Sequence, residues 1–275
     1  MLNDILSGDL YTDLMSERRR ADVSRGVEFK RYPSAAGIWE RVRVTSDEGA
    51  KSIGRPIGRY HTLHTDPMSF VDKYSKDEIE EELANELWDL CDANSIIPKR
   101  VLVVGLGNRR LTPDSLGTAA AEQVFPTLHI KNESEDIFER LSCSEIAVST
   151  PDVKSESGLD TLDIIKGISD KIKPTLIIAI DALCARDEDR LGKTVQLADT
   201  GVFAGSGVGT RKQDISKESL GVPVIAIGIP TVIDVGAISK RGGRMIVTPS
   251  DINTVIETGA SVISGGINKA FGICI

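Results

Sequence analysis

Aromatic residues are scarce in this chain. Phe, Tyr and Trp together make up 4% of its 275 residues, so the core has to be built from aliphatic side chains. Histidine is scarcer still, at three: His61, His64 and His129. A His-rich metal site or a His-based triad would have to draw on those three. The four cysteines, Cys91, Cys143, Cys184 and Cys274, are scattered with no Cys-x-x-Cys pair. They read as reduced thiols in a reducing compartment rather than a disulfide framework. Basic charge does not dominate either. Lys and Arg number 33 against 41 Asp and Glu, for a formal net charge of −8 and a pI near 5.1. That balance argues against gripping nucleic acid, which requires a basic face toward the phosphates. No apolar run approaches the ~20 residues of a membrane span. The N-terminal stretch MLNDILSGDLYTDLMSERRR has no apolar segment ahead of a small-residue cleavage site. The expectation is a soluble cytoplasmic protein.

What the chain does contain is unevenly spread. Eight of its twelve aromatics fall before residue 90, and the rest of the chain is rich in Val, Ile and Gly. Alternation around Val27 and Phe29, and again at Trp39, Val42 and Val44, predicts short strands. Gly and Pro across residues 54–67 predict a loop. Ile79, Leu83, Leu87 and Leu90 recur at helical spacing through 76–93. After Pro98 come continuous apolar runs, which are the mark of strands buried on both faces. These are VLVVGLG (101–107), TLIIAID (175–181) and VPVIAIGIP (222–230), with RMIVT (244–248) as a candidate fourth. Between them lie expected helices from about Pro113 to Val124, at 134–141 and at 161–172. Short strands are expected at 127–130 and 145–150. A long helix is expected from Pro249, with Ser250 or Asp251 near its cap. Strands alternating with helices define an α/β chain with a mostly parallel, doubly wound sheet, which binds ligands beyond the C-terminal strand ends.

Two of those ends carry a carboxylate: Asp114, after GLGNRRLTP, and Asp181, after Leu176–Ile180. As bland alternatives, Asp114 can cap a helix, and Asp181 can cap the next segment or pair with Arg186. Brought together, two buried carboxylates cannot both ionise easily. One keeps a proton while the other activates water, which suits peptide hydrolysis. Nucleotide binding is the weaker reading. Gly105 and Gly107 supply two glycines of a Rossmann turn, but Arg110 stands at the third place, and no Walker sequence is present. Ser206, between Gly205 and Gly207, does not fit a nucleophile elbow and reads as a substrate-lining loop residue. Cys184 has no His near it in sequence, and His61 and His64 lack an identifiable third metal ligand.

The segments VVGLGNRRLTPDSLG (103–117), LIIAIDALCAR (176–186), ADTGVFAGSGVGTRKQDISKESLGVPVIAIGIPTVID (198–234) and MIVTPSDINTVIETGASVISGGINKAF (245–271) resemble the germination proteases of spore-forming bacteria. YTDLMSE (11–17) is similar to the segment where that family loses a propeptide. The resemblance implies an atypical aspartic endopeptidase made as a zymogen, with Asp114 and Asp181 as its two catalytic aspartates and no cofactor or metal. It implies a homo-tetramer in the spore core that degrades small acid-soluble spore proteins during germination. It also implies a three-layer αβα fold shared with hydrogenase-maturation proteases, with N-terminal strands and a helix added. The chain then divides into a candidate propeptide (1–13, with cleavage at Asp13 and Leu14) and one protease domain (14–275). Within that domain, 14–98 covers a catalytic core at 99–275. Gly107, Asn108, Ser206 and Gly207 are expected to line the substrate site, with backbone N–H groups near Gly107 and Asn108 polarising the scissile carbonyl.

Departures from the family pattern are local. Arg110 and Leu111 precede Thr-Pro-Asp, TPDVKSESG (150–158) is unusually polar, His64 stands where a Glu is usual, and the chain is short between Ile233 and Met245. Two other readings stay open. One is a nickel-binding, maturation-type protease. The other is a non-catalytic relative that binds a protein partner through the 150–158 loop.

Overall fold

The computed structural model describes residues 25–185, 187–204, 213–234 and 245–273. The chain opens with a hairpin, β1 (Val27–Ser34) and β2 (Gly37–Val44), paired from Val27↔Val44 to Ser34↔Gly37. A short helix α1 (Asp47–Ile53) follows, its end capped by the side chain of Ser46. Strand β3 (Gly58–His64) then lies antiparallel on β2. This strand falls inside the stretch expected to be a loop. Gly58 begins it, but Tyr60, His61, Thr62 and Leu63 are buried, and burial overrides the turn-like composition before them.

Helix α2 (Lys73–Ala93) starts at Asp72, whose side chain accepts from the Ser75 N–H at 2.9 Å. It buries Ile79, Leu83, Leu87 and Leu90, as their spacing predicts. Each such side chain contributes about 1.5–3 kcal/mol on burial, so packing rather than propensity holds the helix. The same helix is tied to the hairpin by charge. Glu86 is almost fully buried and meets both Arg41 of β2 and His61 of β3. Arg41 also reaches Asp89 at 3.0 Å, and the Trp39 indole N–H donates to Glu82 at 2.9 Å.

The second part of the chain supplies β4 (Arg100–Gly105), α3 (Leu116–Ala121), α4 (Leu128–Glu133), α5 (Glu135–Leu141), β5 (Glu145–Ser149), α6 (Lys154–Ser157) and α7 (Thr161–Ile172). These are followed by β6 (Leu176–Ala185), β7 (Thr194–Ala198), the ribbon β8 (Val202–Ala204) with β9 (Gln213–Ile215), α8 (Lys217–Leu220), β10 (Val224–Asp234), β11 (Ile246–Val247) and α9 (Ile252–Phe271). Among the described residues the main sheet has nine strands, in the order β1-β2-β3-β7-β10-β6-β4-β5, with β11 on the end of β10.

The sheet is mixed. Only β10, β6, β4 and β5 run parallel. The hairpin, β3 and β7 extend it antiparallel from β10, so the expectation of a mostly parallel sheet holds for one half. Two further expectations shift. Residues 128–133 form α4 and not a strand. Thr127 instead closes the edge of β5, donating its hydroxyl to the Ser144 carbonyl and accepting from the Ile146 N–H at 2.7 Å. The candidate fourth buried run shrinks to Ile246–Val247, both exposed.

Side chains alternate across the sheet as its pleat requires. Val101, Val103, Ile178 and Ile180 face one cluster, completed by α2, α3 and α9. Leu102, Val104, Ile177, Ala179 and Leu183 face the other, with Ile53 of α1, Ile165 of α7 and Leu220 of α8. Helices therefore cover both faces, giving three layers.

Candidate active site

Strand β4 stops at Gly105, opposite Ile180 of β6. The last link across that pair is the Leu106 N–H to the Ile180 carbonyl, 2.8 Å. Strand β6 runs on to Ala185 beside β10. Asp181 is thus the first residue of β6 past the reach of β4, where a notch opens on that side of the strand. Into the notch comes the 3-10 turn Thr112–Asp114, packed against β6 and β10.

Asp181 is 7% exposed, and its Oδ1 accepts from the Ala182 N–H at 2.9 Å. Burial pushes its carboxyl well above the ordinary range, and the neighbouring Asp114 charge pushes it further. Asp114 is half-buried, and its Oδ2 accepts from the Asn108 N–H at 2.8 Å. Burial raises this carboxyl too, while the Asn108 N–H works in the opposite direction. The two carboxyls form an electrostatically coupled pair, so their protons leave in steps that belong to the pair. Asp181 is the member better suited to hold the shared proton. Asp114 is the one better suited to carry the charge.

The glycines of this turn serve packing. Gly107 sits at φ +103°, where a Cβ would fall 2.0 Å from the Asp114 carbonyl oxygen. Gly117 lets α3 rest on the strand ends, since a Cβ there would come 2.2 Å from the Ile180 carbonyl oxygen. Of the expected substrate-lining residues, Gly107 and Asn108 lie against Asp114. The Asn108 N–H, expected to polarise a scissile carbonyl, is instead bonded to the Asp114 carboxylate. Ser206, Gly207, Asp13, Leu14 and Arg186 lie outside the described residues.

The other candidates are placed elsewhere. His61 and His64 stand on β3, His64 with its Nε2 3.1 Å from Glu40. Among the described residues no group of three or more His, Cys, Asp or Glu side chains is arranged to hold a metal ion. Cys184 projects, with Ala182, to the face opposite Asp181 and Leu183.

Two features of the site escaped the sequence reading. The sheet level of Asp181 continues through Gly228, Gln196, Thr62 and Glu40, and the last three are buried polar residues. Thr231 of β10, fully buried, donates its hydroxyl to the Pro113 carbonyl at 2.6 Å. A Thr beside a Pro inside an apolar run was the only signal of it.

A three-layer α/β protein with two coupled carboxyls beside a strand end, one buried and one half-buried, has the outline of an acid–base hydrolase. Comparison with known sequences makes the class particular: residues 9–242 match the family model described as Germination protease. The chain belongs to the germination protease family. It is 40% identical over 234 residues to the germination protease of Oceanobacillus iheyensis, across 84% of this chain and 63% of that protein. The germination protease of Clostridium tetani is 31% identical over 296 residues, across 92% of this chain and 91% of the relative. The chain thus spans less than two thirds of the former relative and nearly all of the latter. A crystal structure of a NiFe hydrogenase maturation protease HycI from Thermococcus kodakarensis KOD1 overlaps 60% of this chain and 90% of that one. With 19% identity and a TM-score of 0.33, that overlap is too slight to bear on the fold. No helix among the described residues is long and apolar enough to cross a membrane.

Proposed function

We propose that this chain is an endopeptidase in which Asp114 and Asp181 activate water. The reading rests on one observation: a half-buried and a buried carboxyl are neighbours, and each is raised by burial, with Asp181 raised further by the charge of Asp114. Protonated Asp181 donates a hydrogen bond to the scissile carbonyl oxygen. Asp114, as carboxylate, takes a proton from water as the water oxygen adds to the carbonyl carbon. The tetrahedral intermediate collapses when that proton passes from Asp114 to the leaving nitrogen. The C–N bond then breaks, leaving a free amine and a carboxylic acid.

Family membership supports the finer assignment. The substrates are small acid-soluble spore proteins, degraded on germination in the cytoplasm of the spore core. The enzyme is made as a zymogen with a propeptide at 1–13 and acts as a homo-tetramer without metal or cofactor. The acidic balance of −8 suits action on proteins rather than on the nucleic acid they coat. The test is incubation of purified protein with a small acid-soluble spore protein, followed by mass spectrometry of the fragments. Site-specific fragments that disappear in Asp114→Asn and Asp181→Asn support the reading. Undiminished cleavage by both variants overturns it.

A further inference from the structure

Strand β10 carries an irregularity beside the candidate site. Its pairing with β6 runs in step up to Pro230↔Leu183 and resumes at Val232↔Cys184, so Thr231 is an extra residue in the ladder. Such bulges turn a side chain to a use that the regular pleat does not serve, often next to active sites. Here the hydroxyl of Thr231 donates to the carbonyl of Pro113, the residue before Asp114. The peptide unit Pro113–Asp114 is therefore held at both ends, because its N–H donates to the Leu111 carbonyl at 2.8 Å. The bulge is itself held from outside: Thr248, just past β11, donates its hydroxyl to the Thr231 carbonyl at 3.0 Å.

Asp114 comes from the β4–α3 turn and Asp181 from β6. Their relative position depends on what ties that turn to the sheet. The Asn108 N–H orients the Asp114 carboxylate from within the turn. Thr231 is a tie from the sheet to the backbone of the turn, and it comes from the strand that pairs with Asp181 at Gly228.

We infer that Thr231 is a positioning residue that fixes Asp114 against Asp181. This rests on the reading of the two aspartates as the catalytic pair. Loss of the hydroxyl leaves the Pro113 carbonyl unpaired and lets the turn drift by fractions of an ångström. That displacement is large on the scale that productive geometry tolerates.

The test compares Thr231→Val and Thr231→Ala, which lack the hydroxyl, with Thr231→Ser, which keeps it. Cleavage of a small acid-soluble spore protein is followed as kcat and KM across pH. In parallel, difference infrared titration follows the protonated carboxyls, with Asp181→Asn identifying the Asp181 band. The valine and alanine variants are expected to lose tenfold or more in kcat with KM nearly unchanged. The alkaline limb of their pH profile is expected to move to lower pH, because an Asp114 charge held less closely raises Asp181 less. The infrared midpoint of Asp181 moves the same way, and the serine variant matches the wild type in every readout. Unchanged titration in folded valine or alanine protein overturns the inference. So does a shift in Thr231→Ser, which also serves if the other two do not fold. The infrared arm needs no turnover. A wild type that cleaves no spore protein therefore defeats the protease reading while leaving the positioning of Asp114 to be judged on its own result.

Discussion

The backbone N–H of Asn108 donates to Oδ2 of Asp114 at 2.8 Å, six residues along the same turn. Among the described residues the amide so placed on Asp181 is that of its own neighbour, Ala182, in a more deeply buried setting. This difference makes the pair unequal. A donor aimed at a carboxylate favours the charged form, and burial without enough donors favours the neutral one. Asp114 should ionise first and Asp181 last. Each single Asp→Asn change should then lower the rate of peptide cleavage by roughly 10²- to 10⁴-fold, the usual weight of a positioned acid or base. Initial rates on a spore protein substrate, with circular dichroism to confirm folding, check this.

The same burial has a consequence for stability, and its sign can be worked out. Folding raises the Asp181 carboxyl above its unfolded value of about 3.9. The folded state thus holds the proton more tightly than the unfolded one. Well below about pH 3.9 both states are protonated and Asp181 imposes no penalty. As pH rises toward the folded value the unfolded state is increasingly favoured, so stability falls. Asp181→Asn removes this slope. In thermal melts its Tm should gain on the wild type as pH rises above about 4 toward neutrality, at about 2–4 °C for each kcal/mol relieved in a domain of this size. A constant difference in Tm across that range would count against the buried acid.

Gly107 allows no side chain. An alanine there must adopt φ +103° and place its Cβ 2.0 Å from the Asp114 carbonyl oxygen. Strain of this kind costs about 1–3 kcal/mol, and it acts on the very residue proposed to activate water. Gly107→Ala should lower both the midpoint of urea unfolding and kcat. A variant that lost neither would mean that the turn can move freely.

Far from the carboxyl pair, Glu86 offers a contrast. Its buried side chain meets Arg41 and His61 between the hairpin and α2. Removing one partner of a buried ion pair costs about 3–5 kcal/mol, whereas replacing both with apolar groups can be nearly neutral. Glu86→Ala should therefore destabilise strongly, and Arg41→Met with His61→Leu and Glu86→Leu, which leaves no member of the cluster unpaired, should restore much of the loss. Equilibrium denaturation of the two variants measures the difference.

Much of the frame was legible in the sequence because the parallel strands are buried on both faces and read as unbroken apolar runs. β4, β6 and β10 stood out for this reason, and so did the leucine spacing of α2. The two aspartates were legible because each ends or follows such a run. Strand β7 was not, since five residues containing Gln196 and Thr194 look polar until their burial between β3 and β10 is known. Residues 58–64 were hidden by the Gly and Pro before them. The Thr231 tie depends on a bulge, and a bulge is a matter of register that no one-strand pattern contains.

Strand β7 has one further consequence. It joins β3, from the first third of the chain, to β10, near its end, through Tyr60↔Ala198 and Ala226↔Ala198. Removing the first ninety-eight residues would strip β7 of β3, one of its two partners, and present open N–H and C=O groups as a sticky edge. It would also uncover the apolar face that α2 shields. Such a fragment should associate with itself, and supplying residues 25–98 as a separate polypeptide should restore solubility by reconstituting the sheet from two pieces.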